Sequence, residues 1–89
     1  MTIVHPTELI KQKWYCTLLP LFHSTHKGNE IIVPQGAIVK VKCIFNGYEE
    51  VSLIKHTGGL YRKYIKFSEL QGKLRNVYKN EHKHHRGIR

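Results

Sequence analysis

The chain has 89 residues, with fifteen Lys and Arg against six Glu, no Asp, and a formal net charge of +9 when its seven His are neutral. A chain this short buries only about two-thirds of its unfolded surface, so it supports one core and leaves no room for a second domain or a deep substrate cavity. Residues 1–54 hold five Lys against four Glu (net +1), whereas residues 55–89 hold ten basic residues against Glu69 and Glu81 (net +8). A field this one-sided is expected to attract a polyanion, the alternative being a solvated surface that only keeps the chain soluble.

The first fifteen residues, MTIVHPTELIKQKWY, contain no apolar core of a signal peptide, and no run approaches the ~18 apolar residues of a membrane span. A cytoplasmic location is expected. Cys16 and Cys43 form neither a disulfide framework nor a CxxC metal motif and read as buried thiols.

In chain order, Pro6 is placed to open a single helical turn through Thr7, Glu8, Leu9 and Ile10. KWYCTLL reads as a strand stopped by Pro20, FHSTHKGN as a polar loop, and EIIV as a short strand. The turn Pro34-Gln35-Gly36 leads into AIVKVKCIF, the strongest strand signal in the chain. Val39, Val41 and Cys43 share odd parity with Val51 and Leu53, so a hairpin between them needs a loop of odd length to keep both apolar sets on one face. A three-residue loop, Phe45-Asn46-Gly47 with Gly47 left-handed, is expected; it sets Val41 opposite Val51 and Lys42 opposite Glu50. Turning at Thr57-Gly58-Gly59 pairs Val51 with Ile65 and Ser52 with Tyr64, and leaves Lys63 on the inner side opposite Leu53. After Phe67 the apolar period lengthens to about 3.6: Ser68 and Gln71 fit a capping box, and Leu70, Leu74, Val77 and Tyr78 form one stripe of a helix.

The fold class is thus α+β and mostly β, a small antiparallel sheet or barrel of about five strands followed by a C-terminal amphipathic helix. It forms one compact basic domain over residues 1–80, with a flexible tail rich in His, Arg and Lys over residues 81–89. The run IIVPQGAIVKV, a glycine turn entering a long central strand, resembles what SH3-like barrels show.

This register gives the outer sheet face the rows Lys42-Glu50-Lys66, Lys40-Ser52-Tyr64 and Ile38-Ile54-Arg62. Cations around an exposed tyrosine suit single-stranded nucleic acid: Lys40, Lys42, Arg62 and Lys66 meet phosphates while a base rests on Tyr64. The competing reading covers Ile38, Ile54 and Tyr64 and makes this face a second core. Opposite the helix stripe lie Gly72, Arg75 and Lys79, continued by Lys83 and Arg86, a second basic surface. Gly72 there either weakens the first turn or admits a phosphate backbone closely.

Catalysis is not expected. His23, His26 and His56 lie on predicted loops, and only a small metal-independent ribonuclease would suit such histidines in a basic chain, but the HxxH spacing of HSTH is too common to carry that reading. No metal or other cofactor is expected. The helix stripe is needed on the sheet, which argues against a membrane, and no helix-turn-helix or zinc finger argues for duplex DNA. In size, charge and lack of catalytic motifs the chain resembles small accessory proteins of bacteriophages. That resemblance implies RNA binding in a host cytoplasm, or antitoxin-like inhibition of a host toxin, nuclease or defence protein bridged by RNA, with a homodimer as a further expectation.

Overall fold

The computed structural model describes residues 2–78; the expected tail, together with Lys79, Lys83 and Arg86, lies outside the described residues. Among the described residues there are seven strands: β1 (Trp14–Thr17), β2 (Leu21–Thr25), β3 (Gly28–Val33), β4 (Ile38–Phe45), β5 (Glu50–Lys55), β6 (Leu60–Lys66) and β7 (Leu74–Asn76). A single α-helical turn, α1 (Phe67–Leu70), separates the last two. All described pairings are antiparallel, in one five-stranded sheet ordered β6-β5-β4-β1-β7 and a separate β2-β3 ribbon. The sheet does not close: β6 and β7 are its two edges.

Pro6 opens a 3-10 turn over Pro6–Glu8, as its fixed φ favours. His5 caps that turn, its Nδ1 accepting the Thr7 amide while the Glu8 carboxylate accepts the His5 amide at 2.9 Å. The segment then feeds β1, and Val4 donates its amide to the Leu74 carbonyl at 2.8 Å, so the N-terminus covers part of the β7 edge.

Four sequence expectations are corrected. FHSTHKGN is not a loop but most of the β2-β3 ribbon, closed around His26 and Lys27. The Thr25 hydroxyl holds this turn, accepting the Lys27 amide and donating to the Gly28 carbonyl, so a polar sequence forms strands because one ribbon face stays in water. The β4-β5 turn spans residues 46–49, with Glu49 rather than Gly47 left-handed at φ 54°. This even loop sets Phe45 opposite Glu50 and Ile44 opposite Val51; a bulge at Lys42 then restores parity and brings Val41 opposite Leu53. The parity problem is real, but an extra strand residue solves it instead of an odd loop. Val51 does face Ile65 as expected, yet a second irregularity places Arg62, not Lys63, opposite Leu53, and Lys63 is exposed.

The C-terminal helix is the fourth correction. Gln71 leaves helical geometry at ψ 124°, Gly72 is left-handed at φ 76°, and Leu74 begins a strand beside β1. No Ser68 capping box forms; α1 is preceded by Lys66 without a side-chain cap. Leu70 and Leu74 are both fully buried, but as the last helical residue and the first strand residue, not as neighbours on one stripe. Val77 is half-buried and Tyr78 exposed.

The core gathers Tyr15 from β1, Val39 and Val41 from β4, Val51 and Leu53 from β5, and Ile65 from β6. Leu21 and Val33 from the base of the ribbon, Leu70 from α1, and Val4 and Leu9 from the N-terminal segment close over it. Cys16 is buried, its thiol donating to the Thr17 carbonyl at 3.7 Å, and Cys43 is only half-buried; the two are not joined in a disulfide. No helix among the described residues is long and apolar enough to cross a membrane.

Candidate nucleic-acid interface

A cleft of about 350 Å³ opens between the β2-β3 ribbon and the β6 edge, with α1 at one end. Strand β6 supplies Arg62, Tyr64 and Lys66; the irregularity between Arg62 and Ile65 interrupts the strand's alternation, and the three residues line the cleft from both sides of that break. The facing wall comes from β2, whose Phe22 and His23 lie about 40 residues earlier in the chain.

Two polar contacts fix this juxtaposition. Arg62 Nη2 lies 2.9 Å from His23 Nε2. A guanidinium can only donate, so His23 accepts at Nε2 and its proton resides on Nδ1. The Glu69 carboxylate of α1 accepts the Phe22 amide at 2.7 Å and the Lys73 ammonium at 2.7 Å through the same oxygen. Lys73 also donates to the Pro20 carbonyl and lies over the Phe22 ring at 5.2 Å, so one ion pair ties α1, the β1-β2 connection and the ribbon together.

Tyr64 is 46% exposed, yet its ring is not loose. Its centroid lies 5.2 Å from that of Phe45 in an edge-on arrangement, and the Lys63 ammonium lies 5.4 Å from it. Phe45, Glu50 and Lys66 are successive register partners across β4, β5 and β6, a row that replaces the expected Lys42-Glu50-Lys66. Glu50 is half-buried and lines the cleft.

Of the nine expected site residues, the cleft therefore unites Arg62, Tyr64 and Lys66. Lys40 is instead opposite Trp14 and Ile54, its ammonium 5.3 Å from the Trp14 ring, and Lys42 is the exposed bulge residue. The rows Lys40-Ser52-Tyr64 and Ile38-Ile54-Arg62 do not form, because both hairpins carry irregularities between their ends; Ser52 and Ile38 are buried. Arg75 is on β7, at the opposite edge of the sheet, with its guanidinium 4.1 Å from the Tyr78 ring centroid. It belongs to no helix stripe.

The sequence reading missed Phe22 and His23 as site residues because it placed them in a loop. The alternation of Leu21, His23 and Thr25 with Phe22 and Ser24 was the available signal, but it marks a strand without saying which strand it faces. His26 and His56 occupy separate turns, β2-β3 and β5-β6. Among the described residues no group of three or more His, Cys, Asp or Glu is placed to hold a metal. Comparison of the chain with family models, curated proteins and solved structures found no match.

Proposed function

We propose that this chain is a non-catalytic RNA-binding protein whose binding surface is the cleft along β6. The observation that carries the reading is Tyr64: a half-exposed ring, held edge-on by Phe45 and flanked along its strand by Arg62 and Lys66. Such a ring offers a prepared stacking face, and the cations on either side suit the phosphates of a single strand. Charged residues on an edge strand also discourage strand-to-strand aggregation, so charge alone would not point to nucleic acid; the supported ring is what favours an unpaired strand.

The finer fold reading is an SH3-like arrangement in which the sheet stays open instead of closing into a barrel; it is supported by the strand order, by a ribbon inserted between the first and second strands of the sheet, and by a single helical turn before the last strand. A host protein as partner, as the resemblance to phage accessory proteins implies, is the competing outcome of the test.

That test is fluorescence anisotropy with a short unpaired RNA at two salt concentrations. Tyr64→Ala is expected to weaken binding by ~5–150-fold at both, the equivalent of the roughly 1–3 kcal/mol that stacking one base contributes. Arg62→Ala is expected to act mainly at low salt and to flatten the salt dependence. Wild-type protein that leaves RNA unbound at low salt overturns the reading and directs attention to a protein partner.

A further inference from the structure

The cleft contains a group that a pure phosphate-binding surface would exclude. Two carboxylates line it, and they differ in occupancy. Glu69 is engaged through Oε2 by the Phe22 amide and the Lys73 ammonium. Glu50 makes no hydrogen bond or ion pair among the described residues, although it is half-buried and its register partner is Lys66. A carboxylate so placed repels any phosphate that enters, and its own two oxygens want donors.

Among the four RNA bases, only guanine presents two adjacent N–H donors, N1–H and N2–H, on its Watson–Crick edge. The corresponding edges of adenine and cytosine set an acceptor beside their amino group, and that of uracil flanks its single N–H with two carbonyl oxygens. A carboxylate therefore accepts two parallel hydrogen bonds from guanine and meets a lone pair on each of the others. Tyr64 lines the same cleft as Glu50, so a base can stack while its edge is read. The cleft volume of about 350 Å³ lies at the small end of the ~300–1,000 Å³ of small-ligand sites.

Resting on the RNA-binding reading above, we propose that the cleft is a guanine-selective site: Glu50 accepts from N1–H and N2–H of one unpaired guanine stacked on Tyr64, while Arg62 and Lys66 hold the flanking phosphates. Glu50 is then the specificity residue, and the cationic side chains contribute affinity that is indifferent to sequence.

The experiment compares labelled RNA heptamers, UUUGUUU, UUUAUUU, UUUCUUU and UUUUUUU, by anisotropy at one fixed salt concentration. The guanine heptamer is expected to bind about tenfold or more tightly than the other three, within the range for a bidentate base contact. Inosine in place of guanine, which lacks the 2-amino group, is expected to lose most of that advantage, and this arm requires no protein variant. Glu50→Gln, checked for native circular dichroism, is expected to abolish the preference while leaving UUUUUUU bound as well as before or better. Equal binding of all four heptamers, with Glu50→Gln tightening each alike, overturns guanine selection and leaves RNA binding standing. Failure of folded wild-type protein to bind any heptamer at low salt overturns both.

Discussion

Thr17 shows how one hydroxyl can hold a turn. It is 1% exposed, donates to the Pro34 carbonyl at 2.7 Å and accepts the Ala37 amide at 2.9 Å. The Thr17 amide and carbonyl also bond Ala37 and Gly36, so the entry to β4 is tied to β1 at four points. Thr17→Val keeps the shape but leaves two backbone groups without their partner. It is expected to cost about 2 kcal/mol, read as a lower urea midpoint at unchanged slope. Tyr15 works through titration instead. Burial pushes its hydroxyl above the ordinary value of 10.0; the bond from the Ile10 amide opposes this, and the Glu8 carboxylate adds to it. The folded state thus keeps a proton that the unfolded state releases. The resulting stability is complete below about pH 10 and is lost as pH rises through the higher folded value. Tyr61, also raised by burial, acts in the same direction. Urea midpoints measured from pH 8 to 12 are expected to fall above pH 10, and less steeply in Tyr15→Phe than in the wild type.

At the scale of elements, Gly72 decides between two structures that the same residues could form. Leu70, Leu74 and Val77 have helical spacing, which is why the sequence reads as an amphipathic helix. The unpaired edge of β1 offers Leu74 a strand partner in Thr17, and a left-handed Gly72 makes the turn toward it. A Cβ at Gly72 would meet nothing within 4 Å, so handedness and not crowding selects glycine. Gly72→Ala is therefore expected to destabilise the protein by ~1–2 kcal/mol, whereas in a helix interior the same change would stabilise by about 1 kcal/mol. Chemical denaturation reads the sign directly. The hairpins teach a related lesson. Residues of β4, β5 and β6 were legible as strands, and the Val51-Ile65 pairing was legible from parity. The bulge at Lys42 was not, since nothing in VKVKC marks which residue drops out of register; that choice follows from loop length and core packing together.

For the whole molecule, the cleft depends on how the ribbon is held against the sheet. Arg62, Tyr64 and Lys66 could be found as the charged and aromatic residues of one legible strand, but their opposite wall could not, because Phe22 and His23 are brought there by contacts spanning 39 to 47 residues. Glu69 is the pivot of those contacts, and its ion pair with Lys73 is partly buried, with side-chain exposures of 26% and 21% respectively. Removing it leaves the Phe22 amide and the Lys73 ammonium without their shared acceptor, a loss expected to reach ~1–3 kcal/mol. Because the ribbon has its own ladder and turn, the loss should be local before it is global. Glu69→Ala is accordingly expected to accelerate amide exchange in Leu21–Val33 much more than in β4 and β5, and to weaken RNA binding by loosening one wall of the cleft while every cation remains in place. Were the cations alone responsible for binding, deleting this carboxylate would raise the net charge and tighten RNA instead. Hydrogen exchange and anisotropy on the same variant therefore separate a shaped site from a charged surface.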